Sequence, residues 1–528
     1  MKNLVFGIAG IVALALGAWG ISACSEAEAP KSKDLSFPKG FLIGTAIAGF
    51  QGDMGCPTEK PETCEDRHSD WYQWVHDKDV IGDKGTFSSG DPVSWGPGHW
   101  ELYAKDYVLM KEKLSANSHR MSIEWSRIFP KSTIGTTGHE NLKKLANPAA
   151  LKRYRQMFEA MIKNGIKPLV TINHYTLPLW IHNGVECRKD MKACKQRGWM
   201  DPKVLLPELE KLAAFVAKEY GDVVDYWITI NEPFAVVLPG YLIQRQDRVN
   251  PPALSLQFEA AKTVLIGMIE GHARIYKAIK ANDKIDADKD GKATYIGLAY
   301  NAAPVYPKND KEPLDIKAAK NTSYLLNEVF FEAIINGKLD EKLDGKFKER
   351  KDLIGCDFIG INYYGPFIVT GLEKSAIPQL STLFTADPLT LSNEPVDPEG
   401  LYKVFQIYKK YNRPFLITEN GFGMKDLKDD GTKQASHMVR HLFWIHKAIQ
   451  EGLKIEGYMY WSFVDNYEWN HGFDFRFGLY QIDVKDKTKA RKPRKSVSVF
   501  HSIASQNKLS EAILKEYLSP EEQKLLPK

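Results

Sequence analysis

Eight short apolar runs, each able to form a strand and each followed by a stretch with helical periodicity, limit most severely what this chain can fold into. They are Phe41 to Ile47, His119 to Trp125, Pro168 to Tyr175, Tyr226 to Asn231, Tyr295 to Tyr300, Asp357 to Tyr363, Pro414 to Glu419 and Gly457 to Ser462. Between them apolar residues recur at three- and four-residue steps. Tyr154, Met157, Phe158 and Met161 do so within Leu151 to Asn164, and Leu205 to Tyr220, Leu254 to Ala281 and Lys433 to Glu451 have the same character. Strands that are apolar throughout, with no in-out alternation, belong in a parallel sheet covered on both faces. Eight of them alternating with helices predict an α/β chain folded as a single (β/α)8 barrel. No internal repeat or low-complexity linker divides the 528 residues, so the surplus length falls in loops, at about Gln51 to His99, Val185 to Trp199, Gly371 to Pro398 and Met424 to Thr432.

In such a barrel the residues at the carboxyl ends of the strands face the substrate. Two of the runs end in a glutamate: Ile228-Thr-Ile-Asn-Glu-Pro places Glu232 after the fourth, and Ile417-Thr-Glu-Asn-Gly places Glu419 at the end of the seventh. Other polar or aromatic residues end the remaining strands: Gln51, Arg120, Asn173-His174, Asn231, Asn362, Tyr364 and Trp461, with Glu468 and Trp469 just beyond. Singly, each has an ordinary structural use. Jointly, they supply two carboxyl groups, donors and acceptors for hydroxyls, and an aromatic platform, which is what hydrolysis of a glycosidic bond requires. An arginine and a tyrosine beside one glutamate would keep it ionised, while a less compensated partner could hold a proton near neutral pH.

The remaining features concern compartment and partners. A net charge of +5 is small for this length, and the basic cluster from Lys489 to Lys495 is expected to be a solvated face, which argues against nucleic acid as a partner. Asp286, Asp288, Asp290 and Gly291 match the start of a calcium-binding loop, but Gly297 stands where the bidentate Glu should be, so the segment reads as a polar turn. No metal is expected. Met1-Lys-Asn precedes an apolar run from Leu4 to Ile21, a signal segment in pattern, with an uncleaved anchor helix as the competing reading. Ile21-Ser-Ala-Cys24 resembles the bacterial lipoprotein cleavage box, in which the cysteine is lipidated. That resemblance implies a signal peptide over 1–23, a tether over 24–36 and a lipid anchor at Cys24 in the bacterial cell envelope, on the outer membrane by the Ser25 that follows. The barrel domain then runs over 37–510, and 511–528 form a C-terminal tail. Cys56 and Cys64 share one loop and Cys187 and Cys194 another, so two local disulfides are expected, whereas zinc would need tighter spacing and a nearby histidine. Cys356 reads as a small core residue.

Several longer motifs point to one family. Phe37-Pro-Lys-Gly-Phe-Leu-Ile-Gly-Thr-Ala through Gln51, His119-Arg-Met-Ser-Ile-Glu-Trp-Ser-Arg, Trp461-Ser-Phe-Val-Asp-Asn-Tyr-Glu-Trp and Arg476-Phe-Gly-Leu resemble the signatures of glycoside hydrolase family 1, the β-glucosidase and β-galactosidase family, over roughly Phe37 to Asn507. The resemblance implies a retaining, exo-acting β-glycosidase that works without metal or cofactor. Its substrates would be β-linked oligosaccharides or aryl and alkyl β-glycosides. Glu232 matches the acid/base and Glu419 the nucleophile, while Arg120 and Tyr364 match the pair that contacts the nucleophile. Gln51, His174, Asn231, Glu468 and Trp469 match the residues that hold the sugar hydroxyls, and Trp461 the platform beneath the ring. A transglycosidase or a catalytically silent sugar-binding lipoprotein is the alternative. Tyr175 stands where many members carry Trp or Phe, which alters the wall near the sugar. The stretch from Gln51 to Trp100, with Ser69-Asp-Trp-Tyr-Gln-Trp-Val-His-Asp, is similar to the archaeal-type β-glycosidases, which leaves the glycone open. Glu468 disfavours a phosphorylated sugar by charge repulsion.

Overall fold

The computed structural model of the protein describes residues 33–526 apart from 83–86, 245–247, 389, 391, 394–395 and 426–428. The expected signal segment, Cys24 and most of the tether lie outside the described residues.

Eight parallel strands close into one barrel: β1 (Leu42–Ala46), β2 (Ser118–Ser122), β3 (Lys167–Asn173), β4 (Tyr226–Asn231), β5 (Tyr295–Asn301), β6 (Phe358–Asn362), β7 (Phe415–Asn420) and β8 (Ile455–Trp461). Each pairs in parallel with its neighbours in chain order, and β8 pairs with β1 to complete the ring. The covering helices are α1 (His99–Leu114), α2 (Pro148–Lys163), α3 (Pro202–Tyr220), α4 (Phe258–Asn282), α5 (Val329–Asn336), α6 (Pro398–Tyr408), α7 (Thr432–Gln450) and α8 (Lys495–Gln506). Nearly every strand residue is buried, as expected of strands enclosed on both sides. Glycine permits close approach at two points on the wall: a Cβ on Gly44 would lie 2.1 Å from the Ser118 carbonyl oxygen, and one on Gly360 would lie 2.2 Å from that of Leu298.

The strands end slightly differently from expectation. β2 stops at Ser122 because Trp125–Ile128 winds into a helical turn, with Arg127 N–H donating to the Glu124 carbonyl. β3 stops at Asn173, and Tyr175 then turns the chain with a positive φ of 69°. The pairing register shifts next to Asn362, between Ile228 and Asn231, and between Ile417 and Asn420. Such irregularities re-aim side chains at a strand's end, and here all three fall at the rim that carries the two glutamates.

Three further expectations are corrected. The tether gives way to structure before residue 36, because Leu35 is buried and Leu35–Ser36 pairs with Lys508–Leu509 while Asp34 accepts from Lys508 Nζ at 2.6 Å. The final stretch is packed: Leu514 and Leu518 are buried, and Glu522 accepts from Arg440 Nε at 2.8 Å and from the Trp444 indole at 3.1 Å. The Lys489–Lys495 cluster is only partly a solvated face. Lys489 is buried with its Nζ on the Ser94 and Val484 carbonyls, Arg491 pairs with Asp106, and Arg494 pairs with Asp465. Buried guanidinium–carboxylate pairs of this kind tie the last segment to the barrel, which an alternation of charged letters does not reveal.

The loops are also anchored. Disulfides join Cys56 to Cys64 and Cys187 to Cys194, and Cys356 is free and buried. At the polar turn, carboxylate oxygens of Asp225, Asp286 and Asp288 gather within 4.8 Å. They are engaged locally: Asp225 accepts the N–H groups of Ala287 and Asp288, Asp286 those of Asp290 and Gly291, and Asp288 pairs with Lys167 at 2.5 Å.

Candidate active site

Glu419, near the end of β7, and Glu232, which follows β4, are both 4% exposed. Glu232 takes a positive φ of 44° immediately before the short helix Pro233–Val237. Trp469 has φ 47°, so with Tyr175 three rim residues hold left-handed backbone conformations that cost about 1–3 kcal/mol each and persist where the surroundings dictate them.

A continuous set of hydrogen bonds connects the two carboxyl groups. Arg120, on β2 and 1% exposed, donates from Nη1 to Glu419 Oε1 at 2.5 Å, from Nη2 to Asn231 Oδ1 at 2.7 Å and from Nε to Thr171 Oγ1 at 3.0 Å. Asn362 Nδ2, at the end of β6, donates to the same Asn231 oxygen at 3.0 Å and to Glu232 Oε1 at 2.8 Å. The Thr418 hydroxyl donates to Asn362 Oδ1 at 2.7 Å, which fixes which end of that amide is which. Each carboxyl then has a phenol of its own. Tyr364 O–H donates to Glu419 Oε2 at 2.9 Å, and Tyr175 O–H donates to Glu232 Oε2 at 2.5 Å. Burial, with the glutamate charges adding to it, holds both phenols well above the usual tyrosine range, so both remain donors.

The same network determines the state of His174. Asn231 Oδ1 already accepts from Arg120 and Asn362, so its Nδ2 is the donor toward His174 Nε2 at 3.1 Å. His174 therefore accepts at Nε2 and carries its proton on Nδ1. Burial, and after it the Arg120 charge, keep the imidazole pKa well below its usual value and hence the ring neutral. Nδ1 is buried with no partner among the described residues. Gln51 is in the complementary position: Nε2 donates to the Tyr467 carbonyl at 2.8 Å and to Glu468 Oε2 at 3.0 Å, and its buried Oε1 is unpartnered. A buried donor and a buried acceptor left open at one rim are suited to the hydroxyls of a ligand.

Aromatic rings form the wall. Trp469 packs on Phe50 with centroids 5.9 Å apart and planes 7° from parallel, and on Trp71 and Tyr175 at 4.6 and 4.8 Å. His174 lies 5.9 Å from both Trp461 and Trp469, nearly parallel to each. Trp71 belongs to the long loop between β1 and α1, held in place by Asp70, which accepts the Leu177 N–H at 2.9 Å and pairs with His182.

The ten residues to which the family resemblance gives a role all lie at this one rim. One electrostatic expectation is corrected: Arg120 and Tyr364 do lower the Glu419 pKa, but burial is the larger effect and the Glu232 charge adds to it, so the carboxyl is pushed up to about 7. Glu468 is likewise pushed up to about 7, mainly by burial, against the opposing charge of Arg248 and the Gln51 hydrogen bond. The Tyr175 contact with Glu232 was legible only as a change of wall. Its position directly after His174 places it at the rim, but the turn that carries its hydroxyl back to Glu232 has no sequence signature. Asn362 and Thr418 are the other links the sequence left without a role.

The sequence profile of Glycosyl hydrolase family 1 matches residues 33–509. A Pyrococcus woesei protein named Beta-galactosidase is 37% identical over 523 residues, covering 91% of this chain and 99% of that one. Beta-glucosidase A of Thermotoga maritima is 28% identical, covering 86% and 94%. Among solved structures, the beta-glycosidase of the hyperthermophile Thermosphaera aggregans superposes with a TM-score of 0.75 at 29% identity, covering 92% of this chain and 99% of that one. A beta-glucosidase of Pyrococcus furiosus gives 0.74 at 31%, covering 91% and 98%.

Proposed function

The chain belongs to glycosyl hydrolase family 1 and is a retaining β-glycosidase, and from that premise we propose that Glu419 is its nucleophile and Glu232 its acid/base. The observation that carries the assignment is the asymmetric hydrogen bonding of the two carboxyl groups. Glu419 alone receives a guanidinium, at 2.5 Å, which favours its ionised form, whereas Glu232 receives only neutral donors, from Asn362 and Tyr175.

In the first step a Glu419 oxygen attacks the anomeric carbon, the glycosidic C–O bond breaks, and its electron pair stays with the leaving oxygen, which takes the proton of Glu232. The product is a glycosyl ester of Glu419. In the second step the Glu232 carboxylate removes a proton from water, the water oxygen attacks the anomeric carbon from the opposite side, and the ester bond breaks to restore Glu419. Arg120 and Tyr364 position the nucleophile and stabilise the departing carboxylate. Tyr175 and Asn362 hold Glu232 at the face of the leaving group. The Nδ1–H of His174 donates to a sugar hydroxyl and Gln51 Oε1 accepts from one, with Glu468 beside Gln51 and with Trp461 and Trp469 as the apolar wall.

For the glycone we propose β-D-galactose and β-D-glucose, the sugars named for the relatives at 37% and 28% identity. The Ile21-Ser-Ala-Cys24 sequence supports attachment of the enzyme to a membrane through lipid on Cys24.

Azide rescue tests the assignment with 2,4-dinitrophenyl β-glycosides, whose leaving group departs without protonation. Glu419→Gly with azide should give the α-glycosyl azide, because the anion enters the space of the lost nucleophile. Glu232→Gly with azide should give the β-glycosyl azide, because azide intercepts the intact ester intermediate. The reverse pairing of variants and products would overturn the roles.

A further inference from the structure

One buried carboxyl close to the rim has no task in the chemistry above. Glu124 stands between β2 and the helical turn Trp125–Ile128 and is closed from solvent, so it touches no substrate. Its backbone N–H donates to the Tyr154 hydroxyl of α2 at 2.9 Å, which fixes it to the covering layer. Both side-chain oxygens accept from hydroxyls, and each hydroxyl leads to a different turn of the rim.

On one side Oε1 accepts from the Ser122 hydroxyl at 2.8 Å, and Ser122 Oγ in turn accepts the Gly49 N–H at 2.8 Å. Gly49 opens the helical turn Gly49–Gly52, which carries Gln51. A Cβ on Gly49 would lie 2.6 Å from Glu124 Oε1, so the absence of a side chain lets this turn rest directly on the carboxyl. On the other side Oε2 accepts from the Thr176 hydroxyl at 2.5 Å. Thr176 closes the turn that carries His174 and Tyr175: its N–H donates to the His174 carbonyl at 2.9 Å, and its own carbonyl accepts from Asn173 Nδ2 at 3.0 Å.

The two turns bear the open groups of the site, the acceptor Gln51 Oε1 and the donor at His174 Nδ1. Their remaining anchors lie on separate elements, Gln51 on Tyr467 and Glu468 and His174 on Asn231. Glu124 is the group to which both turns are tied. It stays there at a cost, because burial pushes its pKa up to about 7 and disfavours the charged form. A buried polar network whose members are all satisfied rigidifies the segments it joins.

We propose that Glu124 is a positioning residue, whose carboxyl ties the turn of Gln51 to the turn of His174 and so sets the spacing between the acceptor and the donor that receive the sugar hydroxyls. The inference rests on the reading that Gln51 and His174 hold those hydroxyls.

The test uses 4-nitrophenyl β-galactoside and its monodeoxy analogues, which share one leaving group. For each hydroxyl the ratio of kcat/KM, parent over deoxy, measures how strongly that hydroxyl is used, and intrinsic reactivity cancels when ratios are compared between enzymes. Gln51→Ala and His174→Phe identify the positions that these two residues read. At those positions the ratio should fall roughly 3- to 10-fold in Thr176→Val and in Ser122→Ala, the span of one neutral hydrogen bond, because each variant releases one turn from the carboxyl. In Glu124→Gln it should stay within twofold of the wild type, because the amide accepts from Ser122 and donates to Thr176. At the other positions all three variants should keep the wild-type ratios. Ratios that stay within twofold in either Thr176→Val or Ser122→Ala, or that fall alike at every position, overturn the Glu124 proposal and leave Gln51 and His174 as the hydroxyl-binding groups. If Gln51→Ala and His174→Phe change no ratio, the reading of those two residues is overturned, and the Glu124 proposal with it.

Discussion

Tyr364→Phe isolates one of the forces on the nucleophile. The phenol donates to Glu419 Oε2 at 2.9 Å, and Arg120 holds the other oxygen at 2.5 Å, so the substitution removes one donor without opening the guanidinium contact or changing the size of the ring much. Burial already pushes Glu419 up to about 7, and the Tyr364 hydrogen bond is one of the effects that restrain the rise. A hydrogen bond to a charged group contributes about 1.5–3 kcal/mol, and about 1.4 kcal/mol corresponds to one pH unit. Without the phenol the ionised carboxylate is disfavoured by that amount, so the acid limb of kcat/KM should move upward by about one to two pH units. The assay is kcat/KM for 4-nitrophenyl β-galactoside and β-glucoside from pH 4 to 10, because this parameter follows the ionisations of the free enzyme. At pH 6 the variant should be slower by roughly 10- to 100-fold from this cause alone, and the loss should shrink as the pH rises toward the new midpoint. An acid limb that stays in place or moves downward would refute the claim that Tyr364 stabilises the Glu419 anion.

His174→Phe removes the open Nδ1–H donor and also leaves the Asn231 amide without its acceptor, so kcat/KM for aryl β-glycosides should fall roughly 30- to 150-fold, the effect of about 2–3 kcal/mol, with no change in the pH midpoints because the ring is neutral throughout. Glu124 is fully buried, accepts from the Ser122 and Thr176 hydroxyls, and is pushed up to about 7, chiefly by burial. Its folded pKa is raised, so the stability gained by binding the proton is fully present below the unfolded value near 4.5 and is lost as pH rises through 7. The unfolding free energy from urea titration should therefore rise in Glu124→Gln relative to the wild type between pH 5 and 8, by a difference approaching about 3 kcal/mol, and a difference that shrinks over that range would contradict it. Cys24→Ala should abolish incorporation of radiolabelled palmitate, whereas lipid labelling that persists would exclude Cys24 as the attachment point.

The barrel was legible because its strands carry a strong one-dimensional signal. β4 occupies the bounds expected from Tyr-Trp-Ile-Thr-Ile-Asn, and the others differ by a few residues at their ends. Where they differ, a local turn intervenes, as at Trp125–Ile128 after β2 and at Tyr175 after β3. The rim residues were legible because each sits at a strand end, where a barrel gathers them whatever their distance in sequence. The links among them were less so. That Asn362 bridges Asn231 and Glu232, and that Thr418 orients Asn362, depends on register shifts in β4, β6 and β7 that apolar periodicity does not record. Charged residues near the C-terminus misled for a different reason, because Lys489, Arg491 and Arg494 are engaged inside the protein and do not face water.

The assignment of Glu419 as nucleophile is tested most directly by trapping its ester. A 2-deoxy-2-fluoro β-galactoside or β-glucoside with a dinitrophenyl leaving group slows both steps by destabilising the charged transition state, while the activated leaving group lets the first proceed, so the glycosyl-enzyme accumulates. Peptide mass spectrometry of the inactivated enzyme should place one fluorosugar on the peptide containing Glu419, and Glu419→Gln should remain unlabelled. A fluorosugar found on Glu232, or labelling that persists in Glu419→Gln, would contradict the account.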